Sequence, residues 1–549
     1  MRNRPIILLI LLLFELVSSA QNISKSSYWI KFKDKNGTPF KVSNPEAFLS
    51  LRAIDRRIRQ HIAIDETDLP VSTVYVDSLK NRGLEVVHTS KWLNGATIRT
   101  ADTTLIKKIA GLPFVTLVQL TKPAIMKKSA ILKFRENGLN TDANPATYGN
   151  AIFQLTQLNG QYLHNKGFRG RGIQIAILDA GFWHVNEITA FDTLRNTNRI
   201  LGIRDFVNPG SDIYREQSHG MSVLSCMAGN LPFNMIGSAP DASYYLFRSE
   251  DAASEYPIEE DNWVAAAELA DSLGVDVINS SLGYSEFDDP KMNHSYSDMN
   301  GKTIRITLGA NMAFKKGILV FNSAGNEGNN LWKHIIAPSD GENVIAVAAV
   351  DKYGIRATFS SVGPAFGGAI KPNVAAMGSS TYLVTSTGIP GYSSGTSFSS
   401  PVLAGMGACL LQSNPSSNVR QVKMAIEQSA SIYNKPDSVM GFGIPDFEKA
   451  DKYLKLNIAG NDDLKSSWIV SPNPFSDYIY IRKVNPVTDE NGLIRIYNLK
   501  GVCLWQSNFK TSETVLLKSL SFLPDGLLVL SILSGRKEEH FKMIKTRNY

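Results

Sequence analysis

Cysteine is nearly absent: Cys226, Cys409 and Cys503 are the only three in 549 residues, and they lie far apart. So few thiols exclude a disulfide scaffold, and an odd number leaves one without an intrachain partner. Cys226 and Cys409 sit in apolar, helix-like runs, where a thiol packs as a small hydrophobe. Charge of one sign is also lacking. The 57 Lys and Arg barely exceed the 50 Asp and Glu, for a net charge of +7, and basic residues never gather into long runs. That leaves no footprint for nucleic acid. Beyond residue 20, no stretch approaches the roughly 18 uninterrupted apolar residues of a membrane span, so no transmembrane segment is expected in the mature chain. Hydrophobic residues at 43% and charged residues at 19% describe a globular protein. At about 150 residues per domain, the length suggests three or four units.

What is present begins at the N-terminus. M-R-N-R-P is a short basic start, I-I-L-L-I-L-L-L-F an apolar core, and small residues stand at Ser18 and Ala20. This predicts a secretory signal peptide over residues 1–20. Residues 21–122 then read as a small α+β unit in the order strand, helix, strand, strand, helix, strand, with a basic helical segment (F-L-S-L-R-A-I-D-R-R-I-R-Q) inserted early. That order is the split βαβ of a ferredoxin-like fold. Residues 123–147 turn polar and read as an exposed linker.

From 148 to 456 the pattern is α/β. Apolar, β-branched runs such as I-Q-I-A-I-L, V-D-V-I-N-S, I-L-V-F-N-S and V-I-A-V-A-A-V alternate with helical stretches, as in a buried parallel sheet flanked by helices. Residues 457–466 read as a polar hinge, and 467–549 alternate like a small β-sandwich.

Chemistry is suggested by G-T-S-F-S-S-P, residues 395–401, running into an apolar helix-length stretch. Its hydroxyls suit a helix N-cap, and one of them also suits catalysis. A serine hydroxyl is a poor nucleophile without a base in reach and a third group to orient that base. Such groups collect at the C-terminal ends of parallel strands. Asp179 ends I-Q-I-A-I-L-D, and His219 opens H-G-M-S-V-L-S-C-M-A-G. His184, five residues past Asp179, is a lesser candidate for lining the same site.

L-D-A-G, H-G-M-S-V-L-S and G-T-S-F-S-S-P resemble the three catalytic blocks of the subtilases, the subtilisin-like serine proteases, in that family's order. The resemblance covers roughly residues 150–456. It implies Ser397 as nucleophile, His219 as general base and then acid, and Asp179 as the group that holds the imidazole. F-N-S-A-G-N-E-G (321–328) resembles the oxyanion block, which implies Asn326 as a side-chain donor. N-S-S-L-G (279–283) resembles the edge segment that pairs with extended substrate. Ser281, Leu282 and Gly283, with Ala324 and Gly325, are thereby implied as substrate-binding residues. Thr396, Ser399 and Ser400 are left with capping and packing. The chain departs from the family pattern at Ala180, where Thr or Ser is common, and at Met221, Leu224 and Ser225 in place of Thr, Ala and Gly. No catalytic metal or cofactor is implied, although structural calcium is common in the family. H-I-I-A-P (334–338) is expected to floor the primary side-chain pocket and to favour uncharged residues there.

The 21–122 unit resembles the propeptide of secreted subtilases, an intramolecular chaperone and temporary inhibitor, with processing expected in the linker; a retained accessory domain is the alternative. In the tail, S-P-N-P-F, I-Y-N-L-K-G-V and the closing G-L-L-V-L-S-I with K-M-I-K resemble the sorting domain of type IX secretion cargo. That implies the type IX machinery as a partner and a secreted or surface-attached product; a substrate-binding sandwich is the alternative. Taken together, these features predict a zymogen of a serine endopeptidase acting on peptides, with a catalytically idle surface binding module as the rival reading.

Overall fold

The computed structural model describes residues 24–124, 148–460, 468–471, 473–483, 491–510, 515–535 and 537–546. The expected leader and nearly all of the expected processing linker lie outside them. In the N-terminal unit, β1 (Ser26–Phe32), β2 (Glu85–Ser90), β3 (Gly95–Thr100) and β4 (Val115–Lys122) form one sheet in the order β2-β3-β1-β4, with every neighbour antiparallel. Tyr28, Ile30 and Phe32, every second residue of β1, turn to a core shared with Leu79 of α2 (Thr73–Lys80) and Ile109 of α3 (Thr104–Ala110). This is the ferredoxin-like arrangement.

The inserted basic segment is α1 (Leu51–Arg59), capped by the Ser50 hydroxyl, which accepts from Ala53 N. Its polar face is not solvated. Arg56 and Arg57 are fully buried against the following domain, where Asp271 accepts from Arg56 Nη2 at 2.5 Å, Arg57 Nη2 at 2.8 Å and Lys91 Nζ at 2.8 Å. Asp68 of the same unit takes Arg57 at 2.8 Å and Lys316 at 2.7 Å.

The central domain carries seven parallel strands: β5 (Gln174–Asp179), β6 (Ile200–Asp205), β7 (Ser243–Arg248), β8 (Val277–Ser280), β9 (Leu319–Ser323), β10 (Ile345–Val350) and β11 (Val374–Met377). Their order is β11-β10-β9-β8-β5-β7-β6. After β5 the chain lays β6 at one edge and inserts β7 between β6 and β5, then crosses to the other side to add β8 to β11 in order. The switch point therefore lies between β5 and β8, where crevices open at the carboxyl ends of strands. β8 to β11 are buried along their whole length, which is why they read as unbroken apolar runs.

α4 (His219–Ala228) and α7 (Thr396–Ser413) pack against each other, and α5 (Ile258–Leu273) packs against α6 (Arg305–Lys315). α7 is buried on all sides over most of its length, as an all-round apolar helix must be. Cys226 and Cys409 are buried and unpaired in this core, and burial pushes both thiols up; Cys503 is exposed.

The helix Phe447–Gly460 runs four residues past the boundary expected at 456. No proline interrupts it there, and a glycine ends it. The rest of the expected hinge, from residue 461, lies outside the described residues. The tail forms two sheets, one of Trp468–Ser471, Ile479–Lys483 and Val515–Leu517, the other of Asn491–Tyr497, Cys503–Lys510, Gly526–Ser534 and Lys537–Lys545. Ile481, Ile494, Leu530 and Ile532 lie in their common core. This sandwich meets the N-terminal unit: Tyr478 and Tyr480 pack with Leu49, Ile54, Ile58 and Ile64.

Two expectations follow for the docked N-terminal unit. Asp271→Ala leaves three buried cations without their shared carboxylate, a loss of about 3–5 kcal/mol. Denaturant unfolding of the full chain then begins at lower concentration. The second concerns His88, whose Nε2 lies 2.9 Å from Phe206 O and 3.0 Å from Asn262 Oδ1 across the same interface. Burial pushes its pKa from 6.5 down to about 4. The parted state thus binds a proton that the docked state refuses, and docking weakens as pH falls from about 6.5 to about 4. Asp261, raised by burial to about 6, acts with the opposite sign. Comparing melting temperatures of wild type and His88→Gln between pH 7 and pH 4 isolates the histidine, and the variant shows the smaller fall.

Candidate active site

Asp179 is the last residue of β5 and is wholly buried. Its Oδ1 accepts from Ala180 N at 2.8 Å and meets His219 Nδ1 at 2.7 Å. His219 is the first residue of α4, and the glycine after it is what lets the helix start so close. A Cβ on Gly220 would stand 2.8 Å from Asp179 Cβ and would collide with Gly181 O. The larger residues of this segment are absorbed by packing. Met221 and Leu224 are fully buried, and the Ser225 hydroxyl donates to Ser222 O while accepting from Val384 N.

Ser397 stands in the first turn of α7, 8% exposed, and its Oγ donates to Ser281 O at 3.4 Å. The adjoining Phe398 ring lies against the His219 imidazole with centroids 5.9 Å apart. Pro401 has no N–H to bond the Ser397 carbonyl four residues back. The Ser281 hydroxyl takes that carbonyl instead, at 2.8 Å, which fastens the start of α7 to the end of β8.

The other hydroxyls of the heptapeptide correct the capping expectation. Gly395 occupies the cap position and no side chain caps the helix. The Thr396 hydroxyl and amide both donate to Asn326 Oδ1 at 2.9 Å, and the hydroxyl also accepts from Gly325 N at 3.3 Å. Ser400 Oγ donates to Asn279 Oδ1 at 2.8 Å, and Ser399 Oγ to Thr396 O at 3.0 Å. The helix starts so near β8 and β9 that neighbouring strands claim these groups. For Asn326 the consequence is orientation: its carbonyl oxygen is held by Thr396, so the Nδ2 amide is turned away as a donor.

Asp179, His219, Ser397 and Asn326 thus converge at the switch point, with Ser281, Leu282 and Gly283 leaving β8 on one side and Ala324 and Gly325 leaving β9 on the other. His184 is turned elsewhere, its Nδ1 meeting Glu187 Oε2 at 2.6 Å. In the H-I-I-A-P segment, His334 stacks on Tyr296 and Ile335 is buried.

One group escaped the sequence reading. Glu250, Glu255 and Glu259 are buried and each brings a carboxylate oxygen within 4.8 Å of the others, a spacing that would suit a cation. Within the chain, Glu250 accepts from the Tyr284 hydroxyl and Glu259 from Asp251 N at 3.1 Å. Three glutamates in ten residues were the visible signal. Nothing in their linear spacing says that they converge.

A buried carboxylate bonded to an imidazole, a helix start carrying a serine whose neighbouring ring lies against that imidazole, and a held amide are parts from which serine-dependent acyl transfer can be built. Comparison with known proteins gives the class its name. Residues 170–443 match the subtilase family model, and residues 27–134 match the peptidase S8 propeptide domain of Bacteroidota. Subtilisin NAT of Bacillus subtilis subsp. natto is 27% identical over 359 residues, covering 65% of this chain and 80% of its own. A thermostable alkaline protease of Halalkalibacterium halodurans is 28% identical over 351 residues, covering 62% and 84%. A variant of the epidermin leader peptide processing serine protease of Staphylococcus aureus shares the fold, with a TM-score of 0.52 at 16% identity over 78% of this chain and 99% of that one. The chain carries a subtilase domain preceded by its propeptide domain, and it is a subtilisin-like serine endopeptidase.

Thr396→Val removes one of the two donors holding Asn326. Steady-state kinetics on a peptide substrate should show kcat lower by about tenfold with KM little changed, the pattern of an interaction made in the transition state.

Proposed function

We propose that the chain is made as an exported zymogen whose subtilase domain cleaves peptide bonds through an Asp179–His219–Ser397 triad. The observation that carries the reading is the buried Asp179 carboxylate bonded to His219 Nδ1 at 2.7 Å. That bond fixes the tautomer with a proton on Nδ1 and leaves Nε2 to act as the base. Ser397 Oγ attacks the scissile carbonyl while its proton passes to His219. The oxyanion is held by the Asn326 amide and the Ser397 N–H, at the positive end of α7. His219 then protonates the leaving amine. Water repeats the sequence on the ester, releasing the acid and restoring Ser397. Extended substrate lies along Ser281–Gly283 as an added strand. No step calls for a metal, and a cation at the Glu250 cluster would be structural.

The path of the chain supports self-processing. β4 ends at Lys122, whose Nζ bonds Asp251 at 3.1 Å and Ser254 at 2.8 Å, beside the Glu250 carboxylate on Tyr284. The end of β4, after which the expected linker begins, is thus fastened to the Asp251–Ser254 loop of the protease domain. Export by the N-terminal leader, and sorting of the tail by a type IX system with secretion or surface attachment, complete the reading.

Purified wild type and Ser397→Ala decide it. Wild type loses the N-terminal unit, cleaves casein and takes a fluorophosphonate label, whereas Ser397→Ala stays full length, unlabelled and inactive. A wild type that neither labels nor cleaves after its N-terminal unit is removed would be the idle binding module instead.

A further inference from the structure

We propose that Ile336 fills the slot in which the substrate's primary side chain would sit, so that the enzyme cleaves after glycine, alanine and residues no larger than these. This deepens the serine-protease reading and rests on it. The two segments flanking Ser397 each present a glycine, Gly283 from the β8 side and Gly325 from the β9 side. The space between two such walls is what a substrate side chain beside the scissile bond would enter. In this chain it is taken. A Cβ added to Gly283 would fall inside the Ile336 side chain, against both Cδ1 and Cγ1. One added to Gly325 would stand 3.0 Å from Ile336 Cγ1 and 3.1 Å from Cδ1. Ile336 thus touches both walls at once and is itself only 8% exposed.

The residue is held where it is. Tyr284 N donates to Ala337 O at 2.9 Å and Ala337 N to Tyr284 O at 3.2 Å, and on the other side Ile335 N donates to Val362 O at 2.9 Å. A β-branched side chain has few rotamers to offer, and with its backbone pinned on both flanks it cannot swing clear of the slot. On the Gly325 side the Ser361 hydroxyl, which accepts from Glu327 N at 3.0 Å, closes the remaining space, 2.6 Å from where a Cβ would be. The apolar segment at 334–338, expected as a pocket floor, is therefore a plug. Its chemistry selects for the absence of a side chain more than for an uncharged one.

The test uses processed enzyme and matched fluorogenic peptides that differ only in carrying Ala, Leu or Phe before the scissile bond. Wild type should favour Ala over Phe in kcat/KM by tenfold or more. Ile336→Gly should raise the Phe-to-Ala and Leu-to-Ala ratios of kcat/KM by tenfold or more in enzyme that still takes the fluorophosphonate label. Ile336→Ala should fall between them. Wild type cleaving Phe or Leu peptides as well as Ala peptides overturns the proposal, whether or not the variants fold. So does an Ile336→Gly enzyme that labels normally with an unchanged ratio. Absence of labelling in wild type would instead remove the Ser397 reading beneath it.

Discussion

The chain's reversal between β5 and β8 is the constraint from which the rest follows. Because strands are added to opposite sides of that pair, β5 delivers Asp179 and β8 delivers Ser281 to the rim of one crevice. α4 and α7 then have to begin there, each on a residue with little room to spare. Gly220 admits α4 onto the carboxylate. Pro401 surrenders an amide so that the Ser281 hydroxyl can seize the Ser397 carbonyl. Residues from distant parts of the sequence need no common local motif to meet, because strand order brings them together.

The N-terminal unit is joined by a different logic. Its interface carries a buried ionic lattice in which Asp271 and Asp68 serve five cationic contacts. An apolar interface of the same extent would leave two sticky surfaces on separation. Here each face, if parted, would regain hydration of its charges. Such a lattice also demands exact partners, since a charge misplaced in a buried site is costly. It therefore specifies one docking pose more than it adds affinity.

Much of this could be read from residues. Four of the seven strands, β5, β8, β9 and β10, announce themselves as apolar β-branched runs, the N-terminal unit follows its alternation, and L-D, H-G and G-T-S mark where β5, α4 and α7 meet. What could not be read is set by tertiary contact. R-R-I-R in α1 reads only as a basic helical segment, and nothing in it shows that acceptors from α5 and the turn after it will surround it. The hydroxyls of Thr396, Ser399 and Ser400 read as caps because their partners, Asn326 after β9, Thr396 O within the helix and Asn279 of β8, are not evident in the heptapeptide. Ile336 reads as part of a pocket floor, and its contact with both glycines is hidden because they are elsewhere in the chain. Glu250, Glu255 and Glu259 stand within ten residues, but only the path of the chain from β7 into α5 brings their carboxylates together.

The contact of Tyr478 and Tyr480 with the α1 segment joins the first folded unit of the chain to the last. These parts stand more than 400 residues apart in the sequence, so α1 is clasped from both sides only once the sandwich has been made. A chain cut before Tyr478 would leave Ile54 and Ile58 without their tyrosine cover. Parting the N-terminal unit from the protease domain would therefore also take from the sandwich the apolar surface of α1 on which Tyr478 and Tyr480 rest.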